Sequence, residues 1–266
     1  MSEPIRRRGR PRSTKESGGT VQVLDRALDM LDLLAAHPGL TLSEVAERME
    51  QSPSTVHRLL HSLAARGMVE SDPATQAWNI GSATFRLGSA FMRRSGIVER
   101  ARPILQNLMK HTGETANLGI LNGDAVLFVS QAETHETIRA FFPPGTRSPL
   151  HASGIGKALL AFGRDEVLRS YLDGTTLTRF TDKTLTTPDA LTEDMARIRS
   201  RGFSFDDEER TRGMRCIAAP VFDLTGEAIA GVSVSGPTHR IGHEHVKTLG
   251  AVVAAAAAEL SQAMGG

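Results

Sequence analysis

The hydrophobic pattern of the chain changes period at Thr115. From Val21 up to that point, outside the stretch 68–81, apolar residues recur every three to four positions, the spacing of helices that bury one stripe. Beyond it, "TANLGILNGDAVLFVSQA" alternates around Asn122-Gly123-Asp124, as two strands joined by a tight turn do. At 266 residues the chain has room for two domains of ordinary size. A mainly helical unit is therefore expected first, and an α+β unit second.

The first unit has internal punctuation. "VLDRALDMLDLLAAHPG" places Leu24, Ala27, Leu28, Leu31, Leu34 and Ala35 at helical spacing, and His37-Pro38-Gly39 ends the run. Thr41 and Glu44 of "TLSEVAERM" have the spacing of a capping box. In "SPSTVHRLLHSLAARG", Ser52 is suited to cap a helix that opens on Pro53, and Val56, Leu59, Leu60 and Leu63 form its stripe. Two short helices with a tight join behind a longer one make a helix-turn-helix pattern. The last of them leaves Ser54, Thr55, His57, Arg58 and His61 outward. Short donors near the N-terminus and cations further on suit base edges and phosphates; a merely solvated face has the same composition. "MVESDPATQAWNIG" then reads as a wing of two short strands turning at Asp72-Pro73, with Trp78 on the domain core.

The segment from Ser82 to Thr115 is mainly helical, with breaks expected at Gly96 and Pro103. Phe85, Leu87, Ala90 and Phe91 are more apolar surface than one linker helix hides, so it is expected to pack on something further, a second subunit among the choices. After the hairpin, "TIRAFFPPG", "FSFDDEE", "MRCIAAPVF" and "AIAGVSVSG" read as strands, with helices near 154–163, 165–172, 189–201 and 241–262. An antiparallel sheet flanked by helices, a sensor-like α+β domain, is the expectation.

Within it, "HASGIGKALLAF" places small residues where a helix begins, an arrangement that bares backbone N–H groups to an anion. A phosphate loop is excluded because Gly156-Lys157 is followed by Ala158, and His151 stands where its first glycine belongs. A dinucleotide fingerprint is excluded because Leu159 replaces the third glycine. A small anion fits the stretch, and so does an ordinary glycine-rich helix start. Alternation puts Ser233 and Ser235 on one face of their strand. With Gly154, Ile155, Asp206 and Cys216 they would line one pocket of N–H groups, hydroxyls, a thiol and a carboxylate. The rival is an enzyme with Cys216 as nucleophile and His151 as base, but no adjacent signature accompanies them. His239, His243 and His245 lack metalloprotease spacing and read as a solvated face, so no metal or cofactor is expected.

The net charge of +1 announces no nucleic acid, but residues 6–15 hold Arg6, Arg7, Arg8, Arg10, Arg12 and Lys15 without an acid. Arg8-Gly9-Arg10-Pro11 resembles the core of an AT-hook, which lies extended in the narrow minor groove of A·T-rich DNA. A basic tail that meets phosphates without preference accounts for the same residues. The single Cys216 excludes an internal disulfide and suits a reducing cytoplasm. The longest small-residue run, "AVVAAAAAELSQAM", is interrupted by Glu259 and is not expected to span a membrane. The basic N-terminus has no apolar core after it, so a secretory signal is not expected.

From about Val21 to the C-terminus the chain resembles the IclR family of bacterial transcription regulators. The resemblance is carried by "SPSTVHRLLHSL", "WNIGSATFRLGSA", "PLHASGIGKALLA", "GFSFDDEE" and "MRCIAAPVFDLTGEAIAGVSVSGP". The family more often has Tyr where Trp78 stands. The resemblance implies a disordered basic arm (1–19), a winged helix-turn-helix (20–81), a linker helix (82–97) and a GAF-like effector-binding domain (98–266). It also implies homodimers that pair into homotetramers on double-stranded operator DNA, in the bacterial cytoplasm at the nucleoid. Gly154, Ile155, Asp206, Cys216, Ser233 and Ser235 match the glyoxylate- and pyruvate-responsive branch. The basic arm is similar to that of regulators of glyoxylate assimilation by the β-hydroxyaspartate route. The implied effector is a small 2-oxo acid, glyoxylate first, because the hydrated aldehyde offers donors to Asp206. An aromatic acid is the alternative effector, and a Cys-dependent hydrolase the remote one.

Overall fold

The computed structural model describes residues 21–265. The basic arm, with Arg8 and Arg10, lies outside the described residues. The chain divides into two compact units, 1–91 and 92–266.

In the first unit, α1 (Gln22–Ala36), α2 (Leu42–Arg48) and α3 (Pro53–Ala64) precede a two-stranded hairpin, β1 (Val69–Ser71) and β2 (Trp78–Ile80). Thr41 caps α2 through the expected box: its hydroxyl accepts from the Glu44 N–H at 3.4 Å, and the Glu44 carboxylate accepts from the Thr41 N–H at 2.8 Å. Ser52 accepts from the Thr55 N–H and Pro53 opens α3, where its missing donor costs nothing. Met30, Leu34, Val45, Val56, Leu60, Val69 and Trp78 close one core. The stripe expected on α1 is misplaced by the sequence. Leu24 and Leu28 are 55% and 51% exposed. The helix meets its unit along Met30 and Leu34, and Leu24 and Leu28 lie on the flank, where no described element covers them.

Helix α4 (Ser82–Ser95) leads out of this unit and ends before Gly96, whose left-handed φ of 61° suits glycine. Phe85, Leu87 and Phe91 of α4 are exposed. In the second unit, α5 (Ile97–Thr112) is continuous through Pro103, against the expected break. Proline removes one backbone donor there, but it sits on the solvent side, and buried Ala101, Ile104, Leu105 and Leu108 hold the helix from the other.

The remaining elements are β3 (Thr115–Asn122), β4 (Ala125–Ala132), β5 (Arg147–Pro149), α6 (Gly154–Phe162), α7 (Asp165–Gly174), α8 (Pro188–Arg201), β6 (Ser204–Asp207), β7 (Met214–Phe222), β8 (Ala228–Pro237) and α9 (Val246–Ala263). The strands form one antiparallel sheet in the order β5-β4-β3-β8-β7-β6. Helices α5 and α9 cover one face, over Leu118, Ile217, Val232 and Val234. Helix α6, backed by α7 and α8, covers the other. The strand expected at "TIRAFFPPG" is absent. Pro143 and Pro144 lack the N–H groups a ladder needs, and Phe142 instead stacks on Phe128 at 4.9 Å between centroids.

Candidate functional site

Helix α6 begins where the sheet is polar. Direct cross-strand pairing sets Thr115, Ser235, Cys216 and Asp206 in one row, and Gln131, Asn117, Ser233, Ala218 and Ser204 in the next. Side chains directly opposite on neighbouring strands share a face, so both rows face the α6 layer. The Asn117 amide donates to Ser233 and Ser235 at 3.4 and 3.5 Å, and Gln131 donates to Asn117 Oδ1 at 3.0 Å. Ser204 donates to the Gly154 carbonyl at 2.6 Å, which seats the first turn of α6 on β6.

Ser153 caps that turn. Its hydroxyl accepts from the Gly156 N–H at 3.0 Å and its carbonyl from the Lys157 N–H at 2.9 Å. Of the four N–H groups that a helix start leaves without intrahelical partners, those of Gly154 and Ile155 remain for the site. The Gly154 backbone lies against the Cys216 sulfur. A side chain on Gly154 would stand 2.6 Å from that sulfur, and one on Gly156 would meet the Leu150 carbonyl, so both positions require glycine.

A cavity of about 250 Å³ opens here. Gly154, Ile155, Asp206, Cys216 and Ser235 line it, with Phe128, Phe142 and Met214 as an apolar wall and Arg139, Arg210 and Arg215 as cations. Ser233 is fully buried in the adjacent row and is not among the lining residues. Cys216 opens onto the cavity, yet burial, followed by the Asp206 charge, pushes its thiol up to about 11. His151 does not meet it. Its imidazole is held by the Tyr171 hydroxyl at 2.7 Å and the Thr178 carbonyl at 3.0 Å, which leaves Cys216 without a base. Nor do three His, Cys, Asp or Glu side chains gather as metal ligands among the described residues. His243 is turned toward Arg215 at 2.6 Å.

Sequence reasoning missed the charge cluster behind the cavity. Lys157 is fully buried, and its ammonium donates to Asp194 at 2.9 Å, the Phe205 carbonyl at 2.7 Å and Glu209 at 2.5 Å. Asp206 accepts from the Glu209 N–H at 2.8 Å. Burial pushes Asp206 up to about 6 and Glu209 up to about 7, against the pull of Lys157. A lysine inside the apolar run "GIGKALLA" was the available signal, since a buried ammonium demands carboxylates.

On the first unit, Ser54, His57, Arg58 and His61 are exposed and Thr55 is half-buried on α3. The Ser54 and Thr55 hydroxyls lie 3.1 and 2.9 Å from that of Ser52, so the N-cap organises them. His61 meets the Trp78 ring edge-on at 6.1 Å and His57 at 4.2 Å. The hairpin carries no lysine or arginine over residues 69–80, and α3 carries Arg58.

Residues 23–73 match the IclR helix-turn-helix domain, and residues 89–262 match the C-terminal domain of bacterial transcriptional regulator IclR. The chain is 64% identical over 269 aligned residues to the HTH-type transcriptional regulator BhcR of Paracoccus denitrificans, covering 99% of this chain and 96% of that one. It is 38% identical to the transcriptional repressor IclR of Escherichia coli, covering 99% and 97%. The crystal structure of the Thermotoga maritima IclR superposes with a TM-score of 0.77 at 30% identity, over 93% of this chain and all of that one.

Proposed function

Since the chain belongs to the IclR family of bacterial transcriptional regulators, and is thus a DNA-binding regulator and not an enzyme, we propose that a small 2-oxo acid, glyoxylate first, controls its grip on operator DNA from the cavity at α6. One observation carries the reading: the Gly154 and Ile155 N–H groups open a nine-residue helix onto a cavity that also presents a hydroxyl, a thiol and a carboxylate. The helix start favours the ligand carboxylate. Ser235 and Cys216 suit its carbonyl end. Asp206 would repel an anion unless it accepts hydrogen bonds from it, and the hydrated aldehyde of glyoxylate supplies hydroxyl donors that pyruvate supplies less readily. DNA would meet the exposed face of α3, with the basic arm beside it, in a dimer paired into a tetramer.

The stacked Phe128 and Phe142 rings favour a second reading, an aromatic acid. The cavity is large against a share of about 30 Å³ for one liquid water, so size alone does not choose. Calorimetric titration of the full chain with glyoxylate, pyruvate and benzoate decides, followed by gel shifts on operator DNA with each acid. Glyoxylate binding that alters the shift is expected. Binding of benzoate alone transfers the assignment to aromatic acids, and binding of neither 2-oxo acid ends this one.

A further inference from the structure

Three arginines line the cavity, and two of them are engaged. Arg139 pairs with Glu133 at 3.1 Å and donates to the Glu136 carbonyl at 3.3 Å. Arg215 pairs with Asp207 at 2.7 Å and donates to the Ile241 carbonyl at 2.8 Å. Arg210 is different. It is half-buried, yet among the described residues its guanidinium meets no carboxylate, carbonyl or hydroxyl within hydrogen-bonding distance. Its contact is with the face of Phe180, 5.0 Å from Cζ to the ring centroid. Such stacking covers a face of the guanidinium plane and leaves the in-plane N–H donors at its edge. None of its nitrogens is a fully buried atom left without a partner, so its donors face water and are open to a ligand.

The backbone around Arg210 is fixed on both sides. The Glu209 N–H donates to Asp206, the Thr184 hydroxyl donates to the Glu209 carbonyl at 2.5 Å, and the Gly213 N–H donates to Glu208 at 2.8 Å. The loop therefore holds a cation at the cavity without supplying its anion. Asp206, the carboxylate on the same wall, is already committed to the Glu209 N–H and feels Lys157 more strongly than Arg210.

We propose that Arg210 is the counter-ion of the effector: its free guanidinium edge pairs with the carboxylate of the acid that fills the cavity. This rests on the reading of the cavity as a site for a small acid, and adds to it the residue that selects the charge. It also offsets the repulsion between Asp206 and an anionic ligand, because Arg210 brings a positive charge to the same cavity.

The test uses the full chain, wild type, Arg210→Gln and Arg210→Lys, with glyoxylate, pyruvate, benzoate and the neutral amide of each. Arg210→Gln is expected to weaken the acid that binds by about 10- to 100-fold and to leave its amide unchanged, since a charge-assisted hydrogen bond is lost and a neutral contact is not. Arg210→Lys should recover part of the loss, as a point charge without the planar fork. Added salt should weaken the wild type more than Arg210→Gln. Equal acid affinity in wild type and Arg210→Gln overturns the proposal. So does an equal loss for acid and amide, which would make Arg210 a prop for Phe180. If the wild type binds benzoate and neither 2-oxo acid, the 2-oxo acid reading falls, and the same comparison with benzoate still decides on Arg210. If the wild type binds no acid, both fall.

Discussion

Lys157 faces more negative charge than one ammonium balances. Asp194 and Glu209 accept from it directly, and Asp206 is close enough to pull on it. Burial disfavours the ammonium, but these carboxylates outweigh that and hold its pKa above the ordinary lysine value. The cluster's excess is relieved by a proton on Asp206 or Glu209, whose pKa values burial raises, and Glu209 Oε2, buried without a partner among the described residues, is an oxygen left free to carry it. The consequence for stability has a definite sign. In the unfolded chain Glu209 releases its proton near 4.5, and in the folded chain near 7. Its contribution is therefore full below 4.5 and is lost as pH rises through 7. Glu209→Gln, which keeps an acceptor for Lys157 and cannot ionise, should flatten that decline. Thermal melts at pH 5.5 and 8 are expected to show a smaller drop for the variant, by a few degrees; an identical drop would place the proton elsewhere.

At the scale of elements, α6 is set by close approach rather than by propensity. Gly154 lets its first turn reach Cys216, and Ser153 and Ser204 fix its start. Gly154→Ala should therefore leave a folded chain by circular dichroism yet lift the N–H groups from the cavity, costing at least about 1 kcal/mol of acid affinity, on the order of one net hydrogen bond. Unchanged titrations would remove this helix start from the site. Caps and periods made most elements legible. Thr41 with Glu44, Ser52 with Pro53, and the alternation of "GVSVS" each specify local backbone from a few neighbouring residues. Legibility failed where the outcome depended on distant partners. Leu24 and Leu28 have the same period as the buried Met30 and Leu34, and only the placement of α2 and α3 chooses between them. Phe142 leaves a strand-like run to stack on Phe128. The cluster joins residues 157, 194 and 209, too far apart in the chain for any spacing rule. Arg210 closes "DDEER", a run that reads as a solvated face until Phe180 and the cavity are seen beside it.

At the scale of the molecule, the cavity proposed for the acid and the helix proposed to face DNA lie in different units of the chain. Ser235→Ala should cost about 1.5–3 kcal/mol of acid affinity, as for a hydrogen bond to a charged group, and leave operator binding without acid intact. Arg58→Ala should do the reverse, with a lower salt dependence of operator binding if Arg58 holds a phosphate. Calorimetry and gel shifts on both variants check this, and loss of both activities in either one would show that the substitution unfolds the chain. An acid acts on DNA affinity only through its different affinity for DNA-competent and incompetent arrangements. The cavity itself is divided in another way. Ser235 and Cys216 sit on central strands that also carry the core on their opposite face, whereas Arg210, Phe142 and Arg139 come from connections between strands. With a floor made of strands and a rim made of loops, a few loop substitutions would change what the cavity accepts without touching the scaffold that folds.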